Sequence, residues 1–250
     1  MATFEEQIEG LTGITISYST TVPTQDQLTE FLKNAVLDVT RTSIAVDPHS
    51  TFSFARASEK QVNNDYYKNT GQIIEVVREN GTSNDWRKAR YIIPSDVSLV
   101  SEVGSFNYAS KFNPAYVMLE EGLINVFPAP SENNAFKVYY INNKPVNGNG
   151  EDLSYSDTTI KYFPDRLVHL VVLYAAIKCL EAQMADFNIQ EEDFELATTT
   201  AGTIEVFKAR YQEGLLTGQM AQQSSGGNQQ KGGASNEEIM QTLRGMNDER

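Results

Sequence analysis

Residues 167–180 are apolar on nearly every side of a helix, and this pattern limits the fold more than any other feature of the sequence. A helix that is apolar all round has to be covered on all sides. The run contains His169 and Lys178 and is shorter than the ~20 residues that cross a membrane. We therefore predict a central buried helix and no membrane contact. Pro164 suits the first turn of this helix, because its fixed φ already matches the helical value.

A long amphipathic helix is predicted near the start of the chain. Thr24 and Gln27 form a capping-box pair, in which each side chain can satisfy a backbone N–H of the other residue. Asp47-Pro48 ends the segment. Between these points apolar residues recur every three or four positions and form one stripe: Leu28, Phe31, Leu32, Ala35, Val36 and Val39.

Another helical segment follows the buried one. Asn188 and Glu191 resemble a further helix cap. Gly202 and three threonines weaken the middle of the segment, since both residue types are poor helix formers. Its apolar stripe consists of Phe194, Ala197, Ala201, Ile204, Phe207 and Tyr211.

Short β-prone runs occupy the chain from about residue 52 to residue 141. Leu123–Phe127 and the run before it predict a hairpin whose loop is Glu120-Glu121-Gly122. Asn80-Gly81 and the turn at residues 93–96 are the clearest breaks. Around six short strands indicate a small antiparallel sheet or sandwich. The strand candidates are residues 73–77, 91–93, 97–100, 116–119, 123–127 and 136–141.

These patterns predict an α+β protein. The fold would be a helical bundle with an inserted antiparallel β-sheet or small sandwich, followed by an extended C-terminal tail. A flexible connection, Asn147-Gly148-Asn149-Gly150, begins the return to helices. The predicted regions are an N-terminal arm at 1–23, the helical bundle at 24–48 and 158–217, the β-rich insertion at 49–146, and a flexible tail at 218–250.

The composition changes sharply after Gly218. Residues 221–234 are almost entirely Gln, Ser, Gly and Asn, which predicts a flexible linker. Ser235 and Glu238 then form a capping box that opens a helical segment too short to be stable alone. We expect this short helix to dock on a partner through its apolar stripe, which consists of Ile239, Met240, Leu243 and Met246.

The chain is acidic, with a formal net charge of −13 and a pI near 4.6. This charge argues against a broad DNA-binding face, because affinity for phosphates comes mainly from Lys and Arg. It also disfavours anionic lipid surfaces. Cys179 is the single cysteine, so we expect neither an intrachain disulfide nor a thiolate zinc site within one subunit. The first residues lack the pattern of a signal peptide, and we expect a reducing, aqueous compartment.

No segment holds a convincing catalytic or metal-binding group. His49 and His169 have no second histidine at metal-ligand spacing, and they are expected to be a loop residue and a satisfied helix histidine. Residues 191–193 are acidic but suit the first turn of a helix, and Glu120-Glu121 suits a hairpin turn. Nucleophile-elbow, phosphate-loop and dinucleotide glycine patterns are missing. We therefore predict no enzyme activity, no cofactor and no metal.

One compact basic segment contains an aromatic residue: Trp86, Arg87, Lys88 and Arg90. A weak nucleic-acid contact is one interpretation. A strand face paired with acidic neighbours is the other, and the overall acidity of the chain favours it.

Two stretches resemble proteins of tailed-phage virions. They are residues 121–130 (Glu-Gly-Leu-Ile-Asn-Val-Phe-Pro-Ala-Pro), and residues 163–167 (Phe-Pro-Asp-Arg-Leu) paired with residues 174–181 (Tyr-Ala-Ala-Ile-Lys-Cys-Leu-Glu). Together they resemble the head-to-tail adaptor, or connector, proteins that sit under the phage portal. By order of elements the resemblance covers residues 24–215.

The resemblance implies a structural virion protein at the neck, assembled in the host cytoplasm. It implies a homo-oligomeric ring, commonly of twelve subunits, stacked on the portal protein. A tail tube, nozzle or head-closure protein would lie below. The helical bundle would form ring-to-ring contacts and the C-terminal segment would reach into the portal. An acidic lumen would let DNA pass without adhesion.

Two other functions stay open at this point. The chain could serve as another phage neck, head-closure or fibre-attachment protein, since the same contact chemistry would suit a different partner. The remote alternative is a hydrolase that uses an acidic pair assembled from distant positions in the sequence.

Overall fold

The computed structural model describes residues 2–62, 67–68, 71–81, 85–190 and 194–225, and it shows an α+β chain. Four short 3-10 turns, at Pro48–Phe54, Pro94–Asp96, Glu120–Gly122 and Asp165–Leu167, connect the larger elements. The helices are α1 (Phe4–Thr12), α2 (Gln25–Val46), α3 (Val97–Ser101), α4 (Val168–Gln190) and α5 (Phe194–Ser225). The strands are β1 (Ala55–Ala57), β2 (Tyr67–Lys68), β3 (Gln72–Glu79), β4 (Trp86–Lys88), β5 (Arg90–Ile92), β6 (Ala115–Met118), β7 (Leu123–Phe127) and β8 (Phe136–Ile141).

Helix α4 lies at the centre of the helical core, as the all-round apolar pattern predicted. It packs against α1, α2 and α5. Leu170, Val171 and Ala175 are fully buried in the shared apolar cluster. Within the described residues, Asp165–Asp186 is the one helical stretch long and apolar enough to cross a membrane, and half of its most apolar window is buried inside the protein. Cover by three neighbouring helices accounts for that apolarity.

Helix α2 begins and ends where the sequence predicted. The backbone N–H of Gln27 donates to Thr24 Oγ1 at 3.3 Å, and the backbone N–H of Thr24 donates to Gln27 Oε1 at 2.9 Å. This reciprocal pair is the predicted capping box. Asp47 caps the other end. Of the predicted stripe, Leu28, Leu32, Ala35, Val36 and Val39 are buried and Phe31 packs at the margin of the core.

Helix α1 lies within the stretch predicted as an N-terminal arm, and the sequence analysis missed it. Thr3 and Glu6 form a second capping box, which is the local signal that could have revealed the helix. Phe4 and Ile8 are fully buried in the same cluster as α4. The backbone N–H of Phe4 donates to the carbonyl of Asp157 at 2.9 Å. Residues 1–23 therefore include part of the helical core.

Two four-stranded sheets follow α2 in the chain, in the orders β1-β8-β3-β4 and β2-β7-β6-β5. All pairs of the first sheet are antiparallel. In the second sheet β6 and β7 form the predicted hairpin, but β5 pairs parallel to β6. The prediction of a purely antiparallel arrangement is wrong at this pair. Parallel neighbours need a long crossover connection, and residues 93–114 supply it.

The crossover also explains a second error. Residues 97–100 were predicted as a strand, but Val97–Ser101 forms α3. The turn at Pro94–Asp96 is a 3-10 turn that leads directly into α3. The helical backbone of the turn continues through the β-branched Val97 and Val100, because the helix propensity of single residues is small and structural context overrides it.

Both sheets contribute to one apolar cluster. Val76 and Val138 of the first sheet lie in it together with Ile124 and Val126 of the second. Between β4 and β5 stands only Ala89, which is buried in the same cluster. The chain thus leaves the first sheet and enters the second at Ala89. This passage places the basic segment where the two sheets meet.

The connection at residues 147–150 and the end of the last helix differ from the prediction. Residues 147–150 form a hydrogen-bonded loop in which Asn147 Oδ1 accepts from the backbone N–H groups of Asn149 and Glu151, each at 3.0 Å. Helix α5 continues to Ser225, past residue 217, where the bundle was expected to end. Gln, Met and Ala in this stretch are good helix formers. The predicted docking residues Ile239, Met240, Leu243 and Met246 lie outside the described residues.

Replacing Phe4 tests whether α1 belongs to the core. Phe4→Ala removes a fully buried ring and should lower the free energy of unfolding by about 3–5 kcal/mol. Urea unfolding followed by circular dichroism measures the change. Tyr18→Ala, at a side chain 75% exposed, is the control and should stay within about 0.5 kcal/mol of the parent. Equal stabilities of the two variants would contradict the packing of α1.

Candidate interaction surface

The basic segment lies on β4, at the edge of the first sheet, and continues into β5. Arg87 Nε is 3.2 Å from Asp85 Oδ1, and Lys88 Nζ is 3.8 Å from Glu75 Oε1. Both basic side chains are exposed. This is the arrangement that the strand interpretation predicted, in which basic residues are paired with acidic neighbours. Exposed pairs of this kind are worth ~0–1 kcal/mol each, so they leave the cations available to a partner.

Trp86 is held between lysines that are distant in the sequence. Lys60 Nζ and Lys137 Nζ lie 5.1 and 4.9 Å from the centre of the indole ring. At these distances each ammonium group is attracted by the ring. The half-buried indole is therefore engaged by cations of the protein itself. Sequence reasoning missed both lysines because strand pairing, not chain proximity, brings them to Trp86.

Arg90 fastens the crossover connection to β5. Its Nη2 donates to the backbone carbonyl of Asn107. Among the described residues its Nε is the buried side-chain nitrogen without a hydrogen-bond partner. The inner side of the connection is buried as well, since Val100 and Ala109 are each 1% exposed and pack with Ile92 of β5. The connection is thus anchored by both polar and apolar contacts.

The outer side of the same connection is apolar and exposed. Val103 is 78% exposed, Phe106 is fully exposed, and Phe112, Ile93 and Leu99 are also exposed. Single exposed apolar residues are normal on protein surfaces, but a contiguous group marks an interaction site. These side chains are concentrated in one connection of about twenty residues, whose inner side is already used for packing. The outer side is therefore available to a partner.

The basic segment and the exposed connection meet at Phe112. Lys111 Nζ lies 4.9 Å from the ring centre of Phe112, and the guanidinium carbon of Arg87 lies 6.0 Å from it. Tyr91 contacts Tyr116 with ring centres 5.5 Å apart. We call this the crossover surface and define it by Arg87, Lys88, Tyr91, Val103, Phe106, Lys111 and Phe112.

Charge is distributed unevenly along the chain. Residues 49–146 contain ten basic and ten acidic side chains, whereas the remaining segments contain ten basic and 23 acidic ones. Residues 86–112 contain four basic and two acidic side chains. The crossover surface is therefore mildly cationic on a chain whose net negative charge lies outside residues 49–146.

A polar cluster joins three helices of the helical core. Tyr211 Oη of α5 donates to Asp38 Oδ2 of α2 at 2.7 Å. Glu181 of α4 accepts from Lys178 at 2.8 Å and pairs with Lys208 of α5 at 3.3 Å. The groups satisfy one another, so the cluster holds the three helices in register.

The pKa values of this cluster follow from these contacts. Burial raises the pKa of Tyr211, and the hydrogen bond to Asp38 raises it further. Burial alone would raise the pKa of Glu181, but the hydrogen bonds from Lys178 and Lys208 outweigh burial and lower it. The hydrogen bond to Glu181 raises the pKa of Lys178.

The remaining candidates for chemistry are dispersed. His49 is exposed in the turn after α2, and its backbone N–H donates to Asp47 Oδ1 at 3.0 Å. His169 is exposed on α4, where a buried, satisfied histidine was expected. Cys179 is fully buried, and burial raises its pKa to about 12. Residues 120–122 form the hairpin turn, and the acidic residues 191–193 lie outside the described part of the chain. Within that part, no group of three or more His, Cys, Asp or Glu could hold a metal.

Arg78 holds the loop that follows β7. The side chain is buried, at 3% exposure, and burial lowers its pKa. Its Nε donates to the carbonyl of Pro128 at 2.8 Å, and its Nη2 donates to the carbonyl of Ala129 at 3.0 Å. A third bond runs from Nη1 to the carbonyl of Glu79 at 2.9 Å. These bonds fix the end of the segment at residues 121–130, on which the resemblance to phage proteins partly rests.

No protein-family model matches the sequence, and no curated protein matches it.

Arg78 should be essential for stability. Arg78→Ala would leave three carbonyls without their charged donor and should lower the free energy of unfolding by at least about 3 kcal/mol. Arg78→Lys keeps the charge but not the forked geometry, so an intermediate loss is expected. Arg87→Ala on the neighbouring strand removes an exposed pair and should cost less than about 1 kcal/mol. Chemical denaturation compares the three variants, and equal losses for Arg78→Ala and Arg87→Ala would refute the role of Arg78.

The Tyr211–Asp38 contact should make stability sensitive to high pH. The folded chain keeps the phenol neutral, whereas the unfolded chain releases its proton near the ordinary pKa of ~10. Stability from this group is present below pH ~10 and is lost as the pH rises further. Tyr211→Phe should cost about 1 kcal/mol at neutral pH and should make the decline between about pH 10 and 12 shallower. Unfolding measured across this range checks the effect.

Tyr18→Phe, at an exposed tyrosine, is the matched control for this experiment. It should reproduce the alkaline profile of the parent. A profile for Tyr211→Phe that also matches the parent would show that the buried phenol does not contribute.

Proposed function

We propose that this chain is a structural subunit that works through protein–protein contacts, in a ring of the kind formed by tailed-phage head-to-tail adaptors. The observation that carries the contact role is the crossover surface, where exposed apolar side chains and cations stand on an anchored connection. A surface of this composition favours protein association over catalysis. The adaptor identity is supported by the resemblance of residues 121–130 and of the segments within 163–181.

The proposed layout is a helical bundle with a β-rich insertion and a C-terminal tail. Two observations support it. Helices α1, α2, α4 and α5 contribute to one apolar cluster, and the eight strands of the described residues fall between α2 and α4 in the chain. The resembling segments occupy structurally important places in this layout: residues 121–130 include β7 and its clamped loop, and residues 163–181 lead into and form the first half of α4.

The proposed setting is a ring, commonly of twelve copies, between a portal protein above and a tail tube, nozzle or head-closure protein below. The negative charge of the helical segments supports a role beside DNA. DNA adheres to proteins that neutralise several phosphates at once with Lys and Arg. A lumen lined by acidic helices offers few such contacts, so DNA would pass through without binding.

The C-terminal segment is proposed to dock on the portal. The segment is too short to form a stable helix in isolation, so the proposed helix would be stabilised by packing its apolar stripe on a partner. Attachment to the subunit by a polar linker raises its effective concentration at a neighbouring protein. The docking residues are Ile239, Met240, Leu243 and Met246.

Replacing these four residues by Ser tests the proposed function. The variant keeps the length of the tail, and it should keep the unfolding midpoint of the parent but lose binding to purified portal. Native mass measurement of the subunit alone, of the portal alone and of their mixture detects the complex. Deletion of residues 226–250, which leaves α5 entire, should have the same effect.

The matched control replaces two polar residues of the same segment, Gln241→Ala and Asn247→Ala, and should retain binding. Portal binding by the Ser variant that equals the control would remove the docking role. Failure of the intact chain to join a portal at all would overturn the adaptor function.

A further inference from the structure

The crossover surface points to a second copy of this chain as its partner. We propose that it binds the N-terminal face of the neighbouring subunit, which we define by Glu5, Glu6, Glu9, Leu11, Tyr18 and Asp26. The inference rests on the ring proposed above and names the surfaces that join its subunits.

The crossover surface supplies apolar anchors and cations. Val103 and Phe106 project from a connection whose opposite side is buried. Lys111 has no ion pair with a carboxylate in the described part of the chain, and its ammonium group lies on the exposed ring of Phe112. The ion pairs of Arg87 and Lys88 are exposed to solvent. Little energy is lost when such cations exchange one carboxylate for another.

The N-terminal face supplies the complementary charge. Among residues 1–32 five side chains are acidic and none is Lys or Arg. Leu11 and Tyr18 are exposed in the same stretch of chain, and they add apolar area to its carboxylates. Helix α1 is held firmly, since Phe4 and Ile8 are fully buried beneath it. An acidic, partly apolar and rigid surface is what the crossover surface requires in a partner.

The two surfaces belong to different parts of the molecule. The core beneath the crossover surface contains Ile92 and Val100, whereas α1 packs into the separate helical core. Pairing of unlike surfaces is heterologous, so each subunit uses one surface on either side and the series can close into a ring. Two crossover surfaces facing each other would bring like charges together. The charges therefore favour head-to-tail pairing over a symmetric dimer.

Nucleic acid and lipid fit the observations less well. Both would meet the cations of the crossover surface, but both would be repelled by the net charge of −13. A second copy carries the same net charge, but it also presents exposed apolar side chains beside its carboxylates, so it can meet both the cations and the apolar anchors of the crossover surface. It is also present at the same concentration as the surface it binds.

Cysteine cross-linking tests the proposed contact in the full chain. Phe106→Cys and Tyr18→Cys place thiols at exposed positions of the two surfaces, and the native Cys179 is fully buried. A mixture of the two variants, assembled with portal and mildly oxidised, should give a disulfide-linked pair that contains one chain of each kind. Phe106→Cys mixed with Val206→Cys, at an exposed position of α5, is the control and should give at least tenfold less product. Equal yields from both mixtures, or dimers of Phe106→Cys alone, would overturn the proposal.

A second variant separates this proposal from the adaptor function. Val103→Ser with Phe106→Ser removes exposed anchors without touching a core, and it should weaken self-association by about tenfold or more. The mass of the complex that the parent chain forms with portal serves as the reference for an intact ring. An unchanged ring in the double variant would reject the contact while leaving the adaptor function in place, whereas absence of a ring in the parent would reject both. The proposed contact would also be rejected if the parent bound phosphatidylserine vesicles or single-stranded DNA and the double variant did not. The ligand of the crossover surface would then be a lipid or a nucleic acid.

Discussion

The burial of α4 is the constraint on which the rest of the helical core depends. A helix that is apolar on nearly every side has to be shielded from water along much of its surface, and α1, α2 and α5 pack against α4 to do so. These helices in turn draw most of their stability from packing their apolar stripes against α4. The cluster of Asp38, Lys178, Glu181, Lys208 and Tyr211 then sets the register between helices, because its groups pair only when α2, α4 and α5 are correctly placed.

A second constraint acts in the β-rich part. The chain passes from one sheet to the other at Ala89, and the parallel pairing of β5 with β6 forces a long connection. That connection packs one side on Ile92 and leaves the other side exposed. The exposed surface is thus a consequence of strand topology. Arg78 stabilises the same part of the chain, because its buried guanidinium donates to the carbonyls of Pro128 and Ala129 after β7 and to that of Glu79 at the end of β3.

Local patterns predicted much of this fold. The capping box at Thr24, the stripe of α2, the apolar helix at residues 167–180 and the β6–β7 hairpin all appear in the structure. Helix α1 was missed although its capping box is equally local. The strand prediction at residues 97–100 was wrong, because the turn at Pro94–Asp96 continues as helix. In the candidate site, the basic segment was predicted together with acidic neighbours, but its apolar companions Val103, Phe106 and Phe112 were not.

The sequence by itself determined α2, α4 and the β6–β7 hairpin, because periodicity, caps and turn residues act over a few neighbouring residues. It also determined the uneven distribution of charge. The tertiary structure decided which strands pair, which side of the crossover is buried, and which lysines meet Trp86. Those outcomes depend on contacts between residues far apart in the chain, such as Lys60 and Lys137. Local patterns carry no record of such contacts, since many distant pairings are compatible with the same short segments.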